Sequence, residues 1–287
     1  SQNALYLLTR LLLSSTTRIG VENPCFREAI NTFLLADAEV VPHPVDEEGI
    51  VLNERPCDYY YVTPGHQVPT GVTMSSARRR QLLEHAARHD AVIIEDDYDS
   101  ESNFTLNPLP ALKASDRSGR VVYVSSLSKA LSPGLRLGFM VADPDLIDEA
   151  RALRRLVYRH PPTNIQYQMA HFLAQGHYET HLRRYHFDSA QRWERLHAAL
   201  QRYLPSCRAL AGSEHANAFW LQTPAQINTQ QLTWRAAHAG VLIEPGARHF
   251  LSAAPPDNYF RMGFHAINPD AIAQGVEVLR GQLEQMG

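Results

Sequence analysis

The segment at residues 121–139 constrains the fold more than any other part of this sequence. It opens with an apolar, β-branched run that is typical of a buried strand, and the run stops abruptly in two serines. Lys129, a Pro-Gly turn and Arg136 follow in the loop after it. A polar cluster at the carboxyl end of a strand favours an α/β sheet with a binding site at that end, and these residue types suit a phosphate group.

Strand-like and helix-like segments alternate through the first half of the chain. Apolar runs at residues 59–62, 91–94 and 121–124 are typical of buried strands, and an amphipathic helix pattern separates the first two. Alternation of this kind, with strands that are apolar on both faces, predicts an α/β fold with a mostly parallel sheet.

The polar loops after these strands are expected to meet, because the carboxyl ends of parallel strands lie at one edge of a sheet. The loop at residues 63–71 contributes His66 and Gln67, and the loop at residues 95–99 contributes a carboxylate cluster with a tyrosine. The loop at residues 125–136 contributes serines, a lysine and an arginine. We therefore predict one cleft that collects all three sets of side chains.

The pattern changes after residue 139. Long helix-like segments come first, and short strands that alternate with helices follow. The helices are predicted at residues 144–158, 164–175, 177–203, about 228–239 and 269–284, and the strands at residues 218–222, 241–244 and 259–264. We interpret the chain as a large domain at residues 1–175 and a smaller α+β domain at residues 176–287.

Lys129 is an unusual residue in this composition. Of the 27 basic residues only Lys113 and Lys129 are lysines, so arginine supplies nearly all of the positive charge. A desolvated lysine can lose its proton and form a Schiff base, whereas a guanidinium cannot. Lys113 lies in a polar loop and is predicted to be solvated, which leaves Lys129 as the candidate for Schiff-base chemistry; a pyridoxal-phosphate site is one interpretation of this cluster.

Two further motifs suggest other chemistries, and neither is complete. Ser126 and Lys129 match the S-x-x-K signature of serine acylases, but the companion S-D-N and K-T-G elements do not occur in the sequence. His85 and His89 lie four apart on a helix, but Glu84 precedes the pair, so the zinc-binding H-E-x-x-H pattern fails. We expect these histidines on a solvated helix face. A lysine placed by chance in a turn stays open as the simplest alternative for Lys129.

Composition argues against several functions for these residues. The formal charge of −3 and a longest basic block at residues 78–80 argue against a nucleic-acid-binding face. Three cysteines without C-x-x-C spacing argue against a framework of disulfides or zinc sites. Their small number is consistent with a reducing cytosol. Apolar runs stay short of membrane-spanning length, and no signal peptide precedes the first element. Since the sequence opens at Ser1 without a methionine, we expect the natural N-terminus to lie upstream.

The residues around Lys129 resemble a known family. Residues 126–138 read Ser-x-Ser-Lys-x-x-x-Pro-Gly-x-Arg-x-Gly, and an Asp-Asp-Tyr element lies at residues 96–98. Over essentially the whole chain this resembles fold-type I pyridoxal-phosphate enzymes of the aspartate aminotransferase superfamily. Residues 66–71 and 95–101 are more narrowly similar to the aminotransferase-like domain of MocR/GabR-type transcription regulators, which also carry an N-terminal winged helix-turn-helix. The resemblance implies a homodimer with sites near the subunit interface.

The resemblance also implies roles around the cofactor ring and the substrate. Lys129 would form the Schiff base and move a proton, and Asp96 would pair with the pyridinium nitrogen. Tyr98 would donate a hydrogen bond to the phenolic O3′ oxygen, and Phe26 would stack on the ring. Arg261 matches the arginine that binds a substrate α-carboxylate with both of its terminal nitrogens.

The same resemblance implies a phosphate site. Ser126, Ser128 and the guanidinium of Arg136 would bind the phosphate oxygens. Ser1 and Gln2 would contribute the free N–H groups at the start of the first helix, which suit an anion.

One position departs from the enzymes of the superfamily. They usually carry Asn-Pro-Thr-Gly, with the asparagine also bonded to O3′, whereas this chain has Val68 at that position. Gln67 or His66 could supply the missing donor. Loss of a donor predicts slow turnover, as in the effector-sensing domain of a MocR/GabR-type regulator that responds to an amino acid or amine. The alternatives are a free-standing aminotransferase of the aminoadipate or aromatic type, and a scaffold that dimerises without cofactor.

Overall fold

The computed structural model describes residues 1–53, 55–99, 101, 109–210 and 218–286; Ser100, part of the motif at residues 95–101, lies outside these ranges. The helices are α1 Gln2–Leu12, α2 Arg27–Leu34, α3 Ser76–Arg88, α4 Leu112–Ser115, α5 Pro144–Val157, α6 Thr163–Ala174, α7 His177–Tyr203, α8 Thr229–His238 and α9 Ile272–Glu284. The strands are β1 Arg18–Asn23, β2 Glu39–Asp46, β3 Gly49–Ile50, β4 Tyr59–Val62, β5 Val92–Asp97, β6 Val121–Ser126, β7 Gly138–Val141, β8 Arg208–Ala209, β9 Ala218–Gln222, β10 Glu244–Pro245 and β11 Tyr259–Gly263. Within the described ranges, none of the helices combines the length and apolarity that crossing a membrane requires.

The large sheet has the strand order β3-β2-β1-β4-β5-β6-β7. Strands β2, β1, β4, β5 and β6 are parallel, while β3 and β7 pair antiparallel at the two edges. The predicted α/β fold with a mostly parallel sheet is confirmed. The chain runs outward from β1 in one direction and from β4 in the other, so the strand order reverses between these two strands. Ligand sites of such sheets lie beyond the strand ends at this reversal.

Side chains of the central strands alternate between two apolar layers. Ile94 of β5 packs in one layer with Phe33 of α2, and its neighbour Ile93 packs in the other with Leu82 of α3. Because helices cover both faces of the sheet, successive positions such as Ile93 and Ile94 are both apolar.

The second sheet is antiparallel, in the order β10-β11-β9-β8. Its Phe219 and Phe260 are fully buried against Leu196 of α7, Leu232 of α8 and Leu279 of α9. The C-terminal half of α7 enters this core, and His181 in its N-terminal half contacts the loop after β6.

The strand predicted at residues 241–244 is wrong in extent, because β10 is confined to Glu244–Pro245. The backbone N–H of Val241 donates to the carbonyl of Ala236 at 2.8 Å, which closes the end of α8. Gly240 permits this closure with a φ of 85°, in the left-handed region that glycine adopts without strain. The apolar residues at 241–243, which were predicted to be a strand, therefore belong to the turn that ends α8.

The solvated position predicted for His85 is also wrong. His85 is buried, and its Nε2 lies 2.7 Å from the hydroxyl of Tyr60. A buried tyrosine hydroxyl needs a hydrogen-bond partner, and the helix that covers β4 supplies one. His89, one turn further along α3, is exposed as expected.

Candidate functional site

One cleft, with a volume of about 1730 Å³, opens at the carboxyl ends of β4, β5 and β6. The structure brings to its wall every residue to which the family resemblance assigns a role. These residues are Ser1, Gln2, Phe26, Asp96, Tyr98, Ser126, Ser128, Lys129, Arg136 and Arg261.

Asp96 lies buried near the end of β5. Its Oδ2 accepts a hydrogen bond from the Tyr61 hydroxyl at 2.8 Å, whereas its Oδ1 is buried without a hydrogen-bond partner among the described residues. Burial raises the pKa of Asp96 to about 6, against the lowering effects of the Tyr61 hydrogen bond, the Ser1 amino group and Lys129. A buried carboxylate oxygen without a partner is unfavourable, so the site favours a cationic hydrogen-bond donor against Oδ1.

Tyr61 is a site residue that the sequence analysis missed. It is fully buried, lines the cleft and pairs in register with Ile94 on the neighbouring strand. Because side chains alternate along a strand, Asp96 points to the same side of the sheet as Ile94, two residues before it. The strand at residues 59–62 was predicted, but its register against β5 was needed to single out this tyrosine.

Lys129 lies in the loop after β6, with its Nζ 4.0 Å from the centroid of the Tyr98 ring. Solvent reaches the side chain from the cleft, yet the surrounding protein atoms lower the pKa of its amine by desolvation. Asp99 and Asp96 oppose this shift, and Arg261 adds to it. A lowered pKa increases the neutral, nucleophilic fraction of the amine.

The second lysine lies away from the cleft. Lys113, on α4, places its Nζ 3.2 Å from Oδ2 of Asp116, and its side chain is partly buried. The predicted solvated loop is thus a short helix with a local ion pair. Its distance from the cleft makes Lys113 an internal control for labelling experiments.

The predicted phosphate residues form the wall where β6 meets β7. Ser126 Oγ accepts a hydrogen bond from the backbone N–H of Ser128 at 3.2 Å. Arg136 has a φ of 50°, in the left-handed region that non-glycine residues adopt uncommonly. A Cβ on Gly138 would lie 2.5 Å from a backbone oxygen of β6 and 2.9 Å from the amino nitrogen of Ser1, so glycine is needed for this close approach.

Two helices begin at the cleft. Ser1 is the N-cap of α1, whose first residues line the cleft and whose first N–H groups have no partner within the helix. The Gln2 side chain donates to Oγ1 of Thr32 at 3.3 Å, so its amide faces α2. Phe26 is the N-cap of α2 and places its ring at the cleft wall.

The carboxylates at residues 95–99 do not all face the cleft, which corrects the predicted cluster. Glu95 accepts hydrogen bonds from the first two N–H groups of α4 at 2.6 and 2.8 Å, and Asp97 accepts one from the Tyr123 hydroxyl at 2.7 Å. Alternation along β5 sends Asp96 to the opposite side, where it lines the cleft together with Asp99.

Val68 lines the cleft, but its neighbours His66 and Gln67 are buried behind the wall. The Gln67 amide nitrogen donates to the carbonyl oxygens of Pro24 and Val68, both at 2.7 Å. His66 Nδ1 lies 3.4 Å from Oδ2 of Asp99. In this structure neither side chain is placed to replace the donor that Val68 lacks.

Arg261 reaches the cleft from β11, beside acidic and basic side chains that the sequence analysis also missed. Its Nη1 lies 3.4 Å from Oε2 of Glu244, and Arg248 and His249 line the same wall. Glu244, Arg248 and His249 come from a segment that carries no recognisable motif, so only the tertiary structure identifies them.

Comparison with known proteins gives two groups of relatives. The chain is 37% identical over 280 residues to the HTH-type transcriptional regulator TauR of Rhodobacter capsulatus, covering 96% of this chain and 57% of TauR. It is 34% identical over 284 residues to the probable rhizopine catabolism regulatory protein MocR of Rhizobium meliloti, covering 98% of this chain and 57% of MocR. The chain thus spans just over half the length of these curated relatives.

The fold matches a solved aminotransferase. LysN, the α-aminoadipate aminotransferase of Thermus thermophilus in complex with N-(5′-phosphopyridoxyl)-L-leucine, superposes with a TM-score of 0.92 at 27% identity, covering 100% of this chain and 76% of LysN. The family model for aminotransferase class I and II matches residues 1–279. The chain belongs to the aminotransferase class I and II family.

Proposed function

We propose that this chain is the pyridoxal-phosphate-binding, effector-sensing domain of a MocR-type transcription regulator. The observation that carries the cofactor assignment is the pair formed by Asp96, whose buried Oδ1 lacks a partner among the described residues, and Lys129, whose amine has a lowered pKa in the same cleft. The identity to TauR and MocR over nearly the whole chain supports the regulatory role.

The residues present fit pyridoxal phosphate. Asp96 would pair with the pyridinium nitrogen, Lys129 would provide the amine for covalent attachment, and Phe26 would pack on the ring. Bound in this way, the cofactor supplies an electron sink for amino-acid chemistry. Tyr98 is the remaining donor for the phenolic oxygen.

The phosphate has its own set of donors. Ser126, Ser128, Arg136, Ser1 and Gln2, which carry hydroxyl, guanidinium and helix-start N–H groups, all line the cleft. A helix start and an arginine next to hydroxyl groups suit a phosphate dianion.

The effector is an amino acid or a related amine. Arg261 would bind its acidic group, and Lys129 would be the residue that holds the cofactor and gives it up to the amine of the ligand. Val68 leaves the phenolic oxygen with one donor fewer than the enzymes have, and loss of one such donor lowers rates about 10²–10³-fold. A site of this kind holds its ligand longer than it transforms it, which suits a sensor.

The partners follow from the same assignment. The domain forms a homodimer, and contact with DNA is made by a winged helix-turn-helix outside these residues. Its location is the cytoplasm, which agrees with Cys25, Cys57 and Cys207 being free thiols. The proposal also divides the chain into a large domain at residues 1–175 and a small domain at residues 176–287.

A free-standing aminotransferase is the second candidate. The superposition on LysN over the whole chain favours it, and so do Lys129 and Asp96, which such an enzyme also needs. The two candidates differ in the expected rate of amino-group transfer and in the presence of a DNA-binding segment.

The cofactor assignment is tested by borohydride reduction of the cofactor-loaded protein followed by peptide mass mapping. With two lysines in the chain, we expect the label on Lys129 and none on Lys113. Lys113→Ala should keep the label and Lys129→Ala should lose it. A label confined to Lys113 would contradict the assignment.

Single-turnover kinetics separates the two candidates. We expect rapid capture of an amino acid, seen as a change in cofactor absorbance, followed by slow or absent transfer of the amino group. A transfer rate in the ordinary enzymatic range, about 1–10³ s⁻¹, would instead favour the aminotransferase.

A further inference from the structure

Arg261 already faces a carboxylate of its own chain. Strands β10 and β11 are antiparallel, and their register places Glu244 directly opposite Arg261. The Glu244 Oε2 lies 3.4 Å from Nη1 of Arg261, and both side chains line the cleft. Opposite charges directly across a strand pair attract each other, so the sheet itself maintains this contact.

Glu244 has two further basic neighbours. Its Oε1 lies 3.3 Å from Nε2 of His249 and 3.6 Å from Nη1 of Arg248. The interaction with His249 is the main cause that lowers the pKa of Glu244 to about 2, and Arg261 and Arg248 lower it further. Glu244 is therefore anionic throughout the physiological pH range. If it left Arg261, it would still lie against Arg248 and His249.

The same turn connects the two sheets of the molecule. Arg248 Nη2 lies 3.2 Å from Oε1 of Glu28, at the start of α2. His249 Nδ1 lies 3.0 Å from the carbonyl oxygen of Cys25, whose N–H donates to the His249 carbonyl at 2.9 Å. The N–H of Leu251 donates to the Asn23 side chain at 3.0 Å. Cys25 directly precedes the aromatic residue at the cleft wall, so this contact lies next to the cofactor site.

We propose that Glu244 is a displaceable counter-ion of Arg261. An acidic group of the ligand replaces Glu244 on Arg261, because two carboxylates repel each other when they share one guanidinium. Glu244 then turns fully to Arg248 and His249 and tightens the contact between this turn and the loop that carries Cys25. The protein would thus respond to amines that bear a carboxylate or a similar oxyanion, and simple amines would leave the Glu244–Arg261 pair intact.

This inference rests on the proposed role of Arg261 in ligand binding, and its test uses a probe that does not depend on covalent chemistry. Propanoate has a carboxylate and no amine, so it can occupy Arg261 without reacting with the cofactor. Its affinity for the full-length, cofactor-loaded protein is measured by ligand-observed NMR, which suits weak binding. Propylamine serves as the simple amine.

Glu244→Gln is the first variant, and Glu244→Ala is the second in case the amide forms new contacts. Removing the competing charge should strengthen propanoate binding about threefold to fivefold, the range that corresponds to a partly exposed ion pair. Glu28→Gln is the matched control, since Glu28 pairs with Arg248 but not with Arg261. Glu284→Gln, which loses an ion pair with Arg280 on α9, controls for a general loss of charge.

Hydrogen exchange reports the second half of the proposal. Propanoate, but not propylamine, should slow exchange of the Cys25 and Leu251 amides in the wild-type protein, and Glu244→Gln should bind propanoate without this protection. Unchanged or weaker propanoate binding in both Glu244 variants would overturn the inference, as would equal strengthening by Glu28→Gln. Arg261→Gln should abolish binding; if it does not, the proposed ligand site itself fails.

Discussion

At the scale of single residues, the chemistry of the cleft centres on Asp96 and the hydroxyl that supports it. Tyr61 donates to one carboxylate oxygen and leaves the other without a partner among the described residues. The hydrogen bond also favours the ionised form of a carboxylate whose pKa is raised by burial. An ionised Asp96 is the form that a pyridinium nitrogen requires.

Tyr61→Phe should weaken cofactor binding and lower the free energy of unfolding by about 1–3 kcal/mol, because it leaves a buried carboxylate oxygen without its donor. Cofactor titration by absorbance and urea unfolding measure the two effects. Tyr123→Phe is the matched control, since Tyr123 donates to Asp97 on the other face of β5. Equal losses of cofactor affinity in both variants would contradict a specific role for Tyr61.

Glu22 provides a test of pH dependence. Burial raises its pKa to about 7 from an ordinary value of 4.5, against hydrogen bonds from Thr63 and Gln67. The folded state therefore holds a proton that the unfolded state has lost, and stability falls as pH rises from about 4.5 to about 7.

Glu22→Gln should reduce this pH-dependent loss in the free energy of unfolding by up to about 3 kcal/mol. Glutamine does not titrate, and its side-chain oxygen can still accept a hydrogen bond from Thr63. Urea unfolding of the cofactor-free protein between pH 5 and pH 8 measures the slope. Glu277→Gln, an exposed change on α9, should keep the wild-type slope. A slope that is unchanged in Glu22→Gln would show that another group titrates.

At the scale of elements, α7 connects the loops of the cleft to the second sheet. His181 Nε2 lies 2.6 Å from the carbonyl oxygen of Ala130, next to Lys129, and His186 Nε2 lies 2.7 Å from that of Glu101. Between them, Tyr185 stacks on a histidine that follows β11, with ring centroids 5.5 Å apart. One face of one helix thus contacts three segments of the site.

His181→Ala should loosen the loop that carries Lys129, because the carbonyl of Ala130 loses its donor. We expect faster hydrogen exchange in residues 127–137 and several-fold weaker cofactor binding. Arg183→Ala, an exposed change on the same helix, is the control and should leave both unchanged. If the two variants behave alike, α7 does not position the loop.

At the scale of the whole molecule, α5 and α6 expose large apolar side chains. Leu156 is 85% exposed and Val157 49% on α5, and Tyr167 is 67% exposed and Leu173 47% on α6. Apolar side chains in such number on neighbouring helices are typical of a protein-protein interface, and they support the proposed homodimer.

Leu156→Asp should shift the full-length protein from dimer to monomer in sedimentation at micromolar concentration, because a charge would be buried in the interface. Trp234→Asp on α8 is the control, since Trp234 is 63% exposed beside the second sheet. The proposed surface is wrong if Leu156→Asp sediments as the wild type does.

The sequence by itself determined the class of the fold and pointed to the candidate residues. Continuous apolar runs predicted the buried strands, because a strand covered on both faces is apolar at successive positions. The scarcity of lysine singled out Lys129, and the rule for parallel sheets predicted one cleft. These features are local, or follow from a general property of the fold, so a single sequence can reveal them.

The tertiary structure decided which side chains meet. Tyr61 and Asp96 are 35 residues apart, and strand register alone makes them partners. Glu244 faces Arg261 for the same reason, and His85 is buried because its helix covers a tyrosine hydroxyl. Such contacts depend on pairing between distant segments, and a one-residue change of register would reverse the face of every side chain involved.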